Sequence, residues 1–233
     1  MSKGKTVAIE IELLDRISGG LDRVNKKMDA LKGYTDEAKK GLSGLENMSD
    51  RVKKSLMGLG MAFSMKQVIT EVATVRGEFQ KLEVAFNVML GSADKADNLM
   101  AQLIHTAATT PYDLGGVAQG AKQLLAYGME AEKVNETLIR LGDIAAGLNM
   151  PLNDLVYLYG TTMAQGRLYT QDLNQFTGRG IPMIQELAKV FGVAESKVKD
   201  LVEAGKVGFP EVQKVIENLT GEGSKFGGLM EEQ

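Results

Sequence analysis

Few residues in this sequence could support acid-base or nucleophilic chemistry. Its 233 residues include one histidine, His105, and no cysteine. Without cysteine the chain can form neither a disulfide nor a thiolate metal site, and one imidazole cannot build a histidine-rich metal cluster. His105 lies in LMAQLIHTAATT, close to the end of a predicted helix. We therefore expect a capping or surface role for it rather than catalysis.

The stretch QFTGRGIPMIQEL places an arginine between two glycines. Gly178 and Gly180 favour a helix end and a positive backbone angle, and Pro182 suits the first turn of a new helix. An anion-binding loop is the alternative, but no strand precedes this stretch and no lysine or serine accompanies it. The pattern favours a corner between helices, in which Arg179 points to solvent, caps the preceding carbonyls or pairs with a carboxylate such as Asp143 or Asp172.

Other candidate motifs lack the spacing that their chemistry requires. The cluster GEGSKFG at residues 221–227 has neither dinucleotide-binding nor P-loop spacing. With 30 acidic residues, any pair could be nominated for glycosidase chemistry, so spacing alone selects none. Asp143 and Asp172 are interpreted as cap or ion-pair residues. We predict no catalytic, cofactor-binding or metal-binding residue.

Composition is that of an ordinary soluble globular protein with a small net charge. Hydrophobic residues make up 44% and aromatic residues 6%, with no tryptophan, and the formal net charge is -3. Residues 1–66 contain 13 basic and 9 acidic residues, a balance of +4, whereas residues 67–233 contain 14 and 21, a balance of -7. This modest difference in charge between the two parts of the chain predicts no specific nucleic-acid partner.

No segment has the length of a membrane span. The longest uncharged candidate, SLMGLGMAFSM at residues 55–65, is well short of the roughly 20 residues needed, and no signal peptide is evident. Contact with a lipid surface is open, but this segment lacks a strongly cationic face and does not predict it.

The first third of the chain predicts an elongated helical arm, residues 1–78. Alternation from Val7 to Leu13 predicts one short strand. Ile17, Leu21, Val24, Met28 and Leu31 then follow coiled-coil spacing, and later apolar stripes continue through residues 38–63 and 65–89. A narrow stripe must be covered by a partner helix, folded back from the same chain or supplied by another copy. We therefore expect a homo-oligomer.

The remainder, residues 79–233, is predicted to form a compact domain. From Ser92 onward the sequence predicts six or seven short helices separated by short loops, so the fold class is mainly all-α. Ser92, Asn153 and Thr170 are candidate N-caps, and a helix is expected to begin at Asp113 or Leu114. Val134, Leu138, Leu141 and Ala145 should face the core. The turn and cap positions are Gly91, Pro111, Gly128, Gly147, Pro151, Gly178, Arg179, Gly180, Pro182 and Pro210.

Several blocks in this domain resemble one family in their order along the chain. FQKLEVAFNVMLGSADKA, AATTPYDL, AKQLLAYGM, LGDIAAGLNMPLNDLVYLYG, TTMAQGRLYTQDLNQFTGRGIPMIQELAKVFGV and LVEAGKVGFPEVQKVIENLTGEG are similar to the N-terminal tape measure domain of bacteriophage tail proteins. The resemblance covers about two-thirds of the chain. Its combination of Thr-Pro-Tyr, Gly-Asp-Ile-Ala, Gly-Arg-Leu and Arg-Gly-Ile-Pro is more specific than any glycine pair.

The resemblance implies a structural protein of a phage or prophage tail, a scaffold and ruler for tail tube assembly. It implies tail tube subunits and tail assembly chaperones as partners, assembly in the bacterial cytoplasm and a final location in the virion tail. Because a helix rises only about 1.5 Å per residue, a ruler needs hundreds of residues, and we expect the sequence to be part of a longer chain. The alternatives are a peptidoglycan hydrolase fragment of a tail protein and a membrane-active helical segment used in genome ejection.

Overall fold

The computed structural model describes residues 51, 52, 54, 55 and 78–230. From residue 78 onward it is built of helices joined by short loops, with a 3-10 turn at Glu195–Lys197 before α8. The helices are α1 Phe79–Leu90, α2 Ala93–Thr109, α3 Leu114–Ala126, α4 Ala131–Gly147, α5 Leu152–Gln165, α6 Thr170–Gly178, α7 Met183–Phe191, α8 Val198–Glu203 and α9 Phe209–Thr220. The all-α prediction is confirmed, and the described residues 92–230 contain eight helices rather than the six or seven expected.

No strand occurs in residues 78–230, where the pairing between Arg167 and Gly208 is a single isolated bridge. Within the same residues no helix is long and apolar enough to span a bilayer. The predicted strand from Val7 to Leu13 and most of the predicted arm lie outside the described residues.

Helix α4 lies at the centre of the domain. It packs against α2, α3, α5 and α9. Val134, Leu138 and Leu141 are completely buried, as their spacing predicts, and Ile144 joins them. Burying one such side chain stabilises the fold by about 1.5–3 kcal/mol, so this row holds the neighbouring helices together.

Helix α1 packs on α2 through one face. Phe79, Leu82 and Phe86 are buried there, whereas Met89, the last residue of the predicted stripe, is 41% exposed. Gly91 ends α1 with φ of 60°, and its backbone N–H donates to the carbonyl of Asn87. Phe79, Leu82 and Phe86 of the predicted stripe are therefore covered by the same chain, whereas Met89 is not.

Short side chains fix several helix starts. The Ser92 hydroxyl accepts from the backbone N–H of Lys95 at 3.4 Å, and the Asp113 carboxylate accepts from that of Gly116 at 2.7 Å. These bonds satisfy amide donors that the first helical turn leaves free. Ser92 was predicted as an N-cap, whereas Asp113 was predicted only as one of two possible first residues of its helix.

Some predicted boundaries differ from the structure. Gly147 was expected to stop α4, but it is the last helical residue, and Asn149 takes the positive φ of 50°. Pro182, expected at the first helical position, lies just before α7, with ψ of 52°. Asn153 and Thr170 are helical residues rather than caps. Each predicted boundary misses by one or two residues, which is the range within which helix ends fray.

The remaining turn residues lie at helix ends. Pro111 follows α2, Gly128 follows α3 with φ of 94°, and Pro151 immediately precedes α5. Pro210 is the second residue of α9, where its missing N–H leaves no intrahelical bond unmade. These positions determine where consecutive helices reverse direction.

Candidate functional site

The corner at residues 178–182 connects α6 to α7. Gly180 has φ of 86°, in the region that favours glycine, and the N–H of Ile181 donates to the carbonyl of Phe176 at 3.2 Å. The guanidinium of Arg179 donates to the carbonyl of Gln175 at 3.1 Å. Of the roles considered for Arg179, the structure places it on the carbonyls of the preceding helix. Its charge thereby complements the negative end of α6.

Neither carboxylate proposed for Arg179 has an observed pairing with it. Asp172 accepts from the backbone N–H of Tyr169 at 3.4 Å and so caps α6. Tyr169 in turn lies beneath the guanidinium of Arg167, 4.2 Å from the ring centroid. Asp172 therefore acts as a cap residue, as interpreted from the sequence.

Asp143 holds the segment that follows α9. Its carboxylate, only 4% exposed, accepts from the backbone N–H of Met230 at 2.8 Å and from that of Gly228 at 3.3 Å. A buried carboxylate needs such donors, since leaving it unpaired is costly. We call this segment, residues 221–230, the return segment.

Two glycines of α4 make room for the return segment. A methyl group on Gly142 would lie 2.3 Å from the sulfur of Met230, and one on Gly147 would lie 2.6 Å from the ring of Phe226. Phe226 and Met230 are both buried. The lack of a side chain at Gly142 therefore lets the side chain of Met230 pack directly on α4, a use of glycine that sequence inspection missed. The neighbouring pair Gly142-Asp143 in the motif Gly-Asp-Ile-Ala was the available signal.

Tyr112 connects the loop before α3 to the same part of α4. Its hydroxyl donates to the carbonyl of Gly142 at 3.3 Å. Burial raises the pKa of Tyr112, and the negative charge of Asp143 raises that pKa further. The hydroxyl therefore remains a hydrogen-bond donor at neutral pH.

A groove with an apolar floor lies between the loop after α3 and helices α4, α5 and α9, with a cavity volume of about 370 Å³. Tyr159 and Phe209 form its aromatic floor, their ring centroids 5.0 Å apart and their planes at 65°. Met129, Met163 and Ile216 complete the apolar lining. We call this the α4–α9 groove. Methionines adapt to side chains of different shape, which suits a surface that receives another segment.

Charged side chains form the rim of the α4–α9 groove. Lys133 pairs with Glu130 at 2.8 Å, and Arg140 pairs with Glu136 at 2.8 Å. Glu217 instead accepts from the side-chain amide of Gln213 at 3.0 Å. Among the described residues Glu217 forms no ion pair, so the rim keeps one carboxylate without a cation.

The floor of the groove contains a phenol close to that carboxylate. Burial raises the pKa of Tyr159 and the charge of Glu217 raises it further, whereas Arg140 opposes the shift. Tyr159 is only 2% exposed. The phenol therefore stays protonated at the bottom of an open groove.

Apolar side chains are exposed on the outer face of α1. Val84 is 61% exposed and Val88, one turn later, is 77% exposed. On the rest of residues 78–230 the other large exposed apolar side chains are Tyr157, Tyr169 and Val193. Paired apolar residues on one helix face can support helix-helix contact.

No cluster of three or more metal-ligating side chains occurs within residues 51, 52, 54, 55 and 78–230. His105 is half-buried in α2, where its backbone carbonyl accepts from the Thr109 hydroxyl at 3.0 Å. His105 lies in the penultimate turn of α2, close to the end of a helix as expected.

Comparison with known proteins identifies the family. The profile of the family described as tape measure protein matches residues 70–232. The chain belongs to the tape measure protein family. The family resemblance found in the sequence motifs is thereby confirmed, and the tape measure domain contains all nine helices described here.

A phage relative supports the same assignment. The probable tape measure protein of Escherichia phage Mu is 29% identical over 133 residues, which cover 56% of this chain and 19% of the relative. The match therefore spans about a fifth of that tape measure protein. No solved structure gives a significant match.

Proposed function

We propose that this chain is a segment of a phage tail tape measure protein that works as a helical scaffold and ruler during tail tube assembly. The observation that carries the proposal is the family match over residues 70–232, which covers the whole described helical domain. A phage tail location follows from the family. Assembly in the bacterial cytoplasm is part of the proposal.

In this role the chain binds other subunits through helical surfaces and carries out no reaction. Support comes from the exposed pair Val84 and Val88 on α1, which offers an apolar edge for another helix. The apolar stripes predicted upstream of α1 would extend such an edge along the arm. We propose self-association, tail tube subunits and tail assembly chaperones as the contacts that these edges make, without specific nucleic-acid binding.

The test is co-expression of the full chain with the tube subunit and chaperone encoded beside it. Analytical ultracentrifugation should detect a complex heavier than any single component, and self-association of the chain alone at micromolar concentration. A chain that sediments only as a monomer, alone and with both proteins, would contradict the partner proposal. A zymogram on peptidoglycan tests the hydrolase alternative independently, and we expect no clearing.

A further inference from the structure

In the motif Gly-Arg-Leu the glycine and the leucine have structural roles, whereas the arginine does not. Gly166 follows α5 with φ of 73°, and its carbonyl accepts from the backbone N–H of Phe209 at 3.0 Å. Leu168 is completely buried, and its N–H donates to the carbonyl of Val207 at 2.9 Å. Arg167 lies between them and is exposed, so packing in the core does not account for it.

The guanidinium of Arg167 is held in place by two neighbours. It lies over the ring of Tyr169, 4.2 Å from the ring centroid, and Tyr169 is itself 41% exposed. A methyl group on Gly205 would lie only 2.7 Å from Nη1 of Arg167, so the guanidinium occupies the space that a side chain there would take. The backbone of Arg167 pairs with Gly208. A cation fixed in this way loses little conformational freedom when it binds an anion.

No carboxylate pairs with Arg167 within residues 78–230. Two carboxylates on adjoining segments accept from backbone N–H groups instead: Asp172 from that of Tyr169 at 3.4 Å, and Glu211 from that of Gly208 at 2.8 Å. The N–H donors of a guanidinium form a planar fork that matches the two oxygens of a carboxylate. Arg167 therefore retains donors for an anion from outside the domain.

The charge of the domain favours a polypeptide carboxylate over nucleic-acid phosphate. Residues 67–233 contain 14 basic and 21 acidic residues, a balance of -7. A nucleic acid meets this repulsion at every phosphate, whereas one acidic side chain meets it once. Beside the Tyr169 ring, a shallow depression of about 550 Å³ is lined by Gln165, Thr170, Gln171 and Asp172. Amide and hydroxyl groups of this kind can hydrogen-bond the backbone of a peptide.

We propose that Arg167, supported by Tyr169, binds an aspartate or glutamate side chain of a partner polypeptide. The guanidinium pairs with the carboxylate, and the tyrosine ring contacts the aliphatic part of the acidic residue. Arginine and tyrosine are enriched among the residues that dominate the energetics of protein-protein interfaces. The proposal names the chemistry of one partner contact of the scaffold, and it therefore rests on the proposed function.

NMR titration of the 15N-labelled full chain tests the proposal. The probes are a capped peptide Ala-Ser-Glu-Ser-Ala, the same peptide with glutamine in place of glutamate, and a single-stranded thymidine oligonucleotide. Chemical shifts of the backbone amides of residues 166–172 report binding at this surface. Arg167→Lys keeps the charge and removes the planar fork, and Tyr169→Leu removes the ring. Arg179→Lys is the matched control, because Arg179 is also exposed and donates to the carbonyl of Gln175.

We expect the glutamate peptide to shift these amides at millimolar concentration and the glutamine peptide not to do so. Arg167→Lys and Tyr169→Leu should each weaken binding about threefold or more, whereas Arg179→Lys should leave it unchanged. No shift with the glutamate peptide, equal shifts with both peptides, or equal effects of the two lysine variants would overturn the proposal. An oligonucleotide that binds more tightly at the same amides would show phosphate recognition and overturn it as well.

Failure of this proposal is distinguishable from failure of the proposed function. The titration uses the chain without tail proteins and reports one contact. Association with the tube subunit and the chaperone is measured separately by ultracentrifugation, and it can persist through other surfaces if Arg167 binds no carboxylate.

Discussion

The carboxylate of Asp143 accepts a hydrogen bond from the backbone N–H of Met230 at 2.8 Å, across 87 residues of sequence. This bond, with the one from Gly228, ties the return segment to the central helix α4. The last described residues are therefore part of the domain core. Phe226, buried against α4, adds an apolar contact to these polar ones.

Replacing Asp143 tests the contribution of this contact. Asp143→Ala removes the acceptor of the buried Met230 N–H and of the Gly228 N–H, and it should lower the free energy of unfolding by about 2–3 kcal/mol. Urea denaturation monitored by circular dichroism measures the change. The control is Asp200→Ala on exposed α8, for which we expect less than about 0.5 kcal/mol. Equal effects of the two variants would contradict the assigned role of Asp143.

Gly160 tests close packing between α5 and the end of α3. A methyl group there would lie 2.1 Å from the ring of Tyr127, so the ring would have to move. Gly160→Ala should destabilise the domain by about 1–3 kcal/mol, as expected for overpacking. Gly116→Ala is the matched helical control, because its methyl group meets only an ordinary contact at 3.6 Å. If both variants melt at the parent temperature, Gly160 has no packing role.

The corner between α6 and α7 provides a matched pair of glycines. Gly180 has φ of 86°, a backbone conformation that is strained for a residue with a side chain. Gly180→Ala should therefore lower the free energy of unfolding by about 1 kcal/mol or more. Gly178→Ala, two residues earlier, has a negative φ and open space around it, so we expect no loss. Thermal denaturation measures the melting temperatures of both variants. A melting temperature of Gly180→Ala equal to that of the parent protein would refute the corner interpretation.

Asp97 predicts a pH dependence of stability. Burial raises the pKa of its carboxyl from the ordinary 3.8, Arg51 at 4.0 Å opposes the shift, and Asp94 adds to it. The native state therefore holds this proton more tightly than the unfolded state does, so ionisation of Asp97 destabilises the fold as pH rises above 3.8. Asp97→Asn should increase the free energy of unfolding at pH 7. This gain should shrink as the pH falls from the native-state pKa of Asp97 to its unfolded-state pKa.

Urea denaturation at several pH values between 3 and 7 checks this prediction. Asp200→Asn is the control, because the Asp200 side chain is 65% exposed and lies on α8, away from this cluster. A gain that is the same at every pH, or a loss at pH 7, would show that the ionisation of Asp97 is not the cause.

The sequence predicted the helices well because their apolar periodicity and caps are local. Val134, Leu138 and Leu141 face the core as their spacing requires, and Ser92 and Asp113 cap their helices. Local patterns contain no information about which distant segments meet. The bonds of Asp143 to the return segment join residues 85 and 87 positions apart, so sequence spacing could suggest a cap but not the segment that it holds.

The same limit explains the misread glycine and the groove. Gly147 has the position of a helix stop, yet its lack of a side chain serves the packing of Phe226. The α4–α9 groove is formed by residues from four separate parts of the chain, so no single motif indicates it. Tyr159 and Phe209 meet only after α5 and α9 have packed together.

Self-association through α1 has its own test. Replacing Val84 and Val88 together by serine removes apolar area from an exposed helix face and should weaken association of the full chain about tenfold or more, without loss of stability. Val193→Ser, at an exposed site after α7, is the control. Sedimentation equilibrium measures the dissociation constants, and unchanged association of the double variant would exclude this face.

Tail length tests the ruler role most directly. In the complete gene that encodes this sequence, an in-frame insertion of about 60 helix-forming residues after the tape measure domain should lengthen tails by about 90 Å, because a helix rises about 1.5 Å per residue. Negative-stain electron microscopy of the particles measures the change. Tails longer by that amount would support the scaffold and ruler account, whereas assembled tails of unchanged length would contradict it.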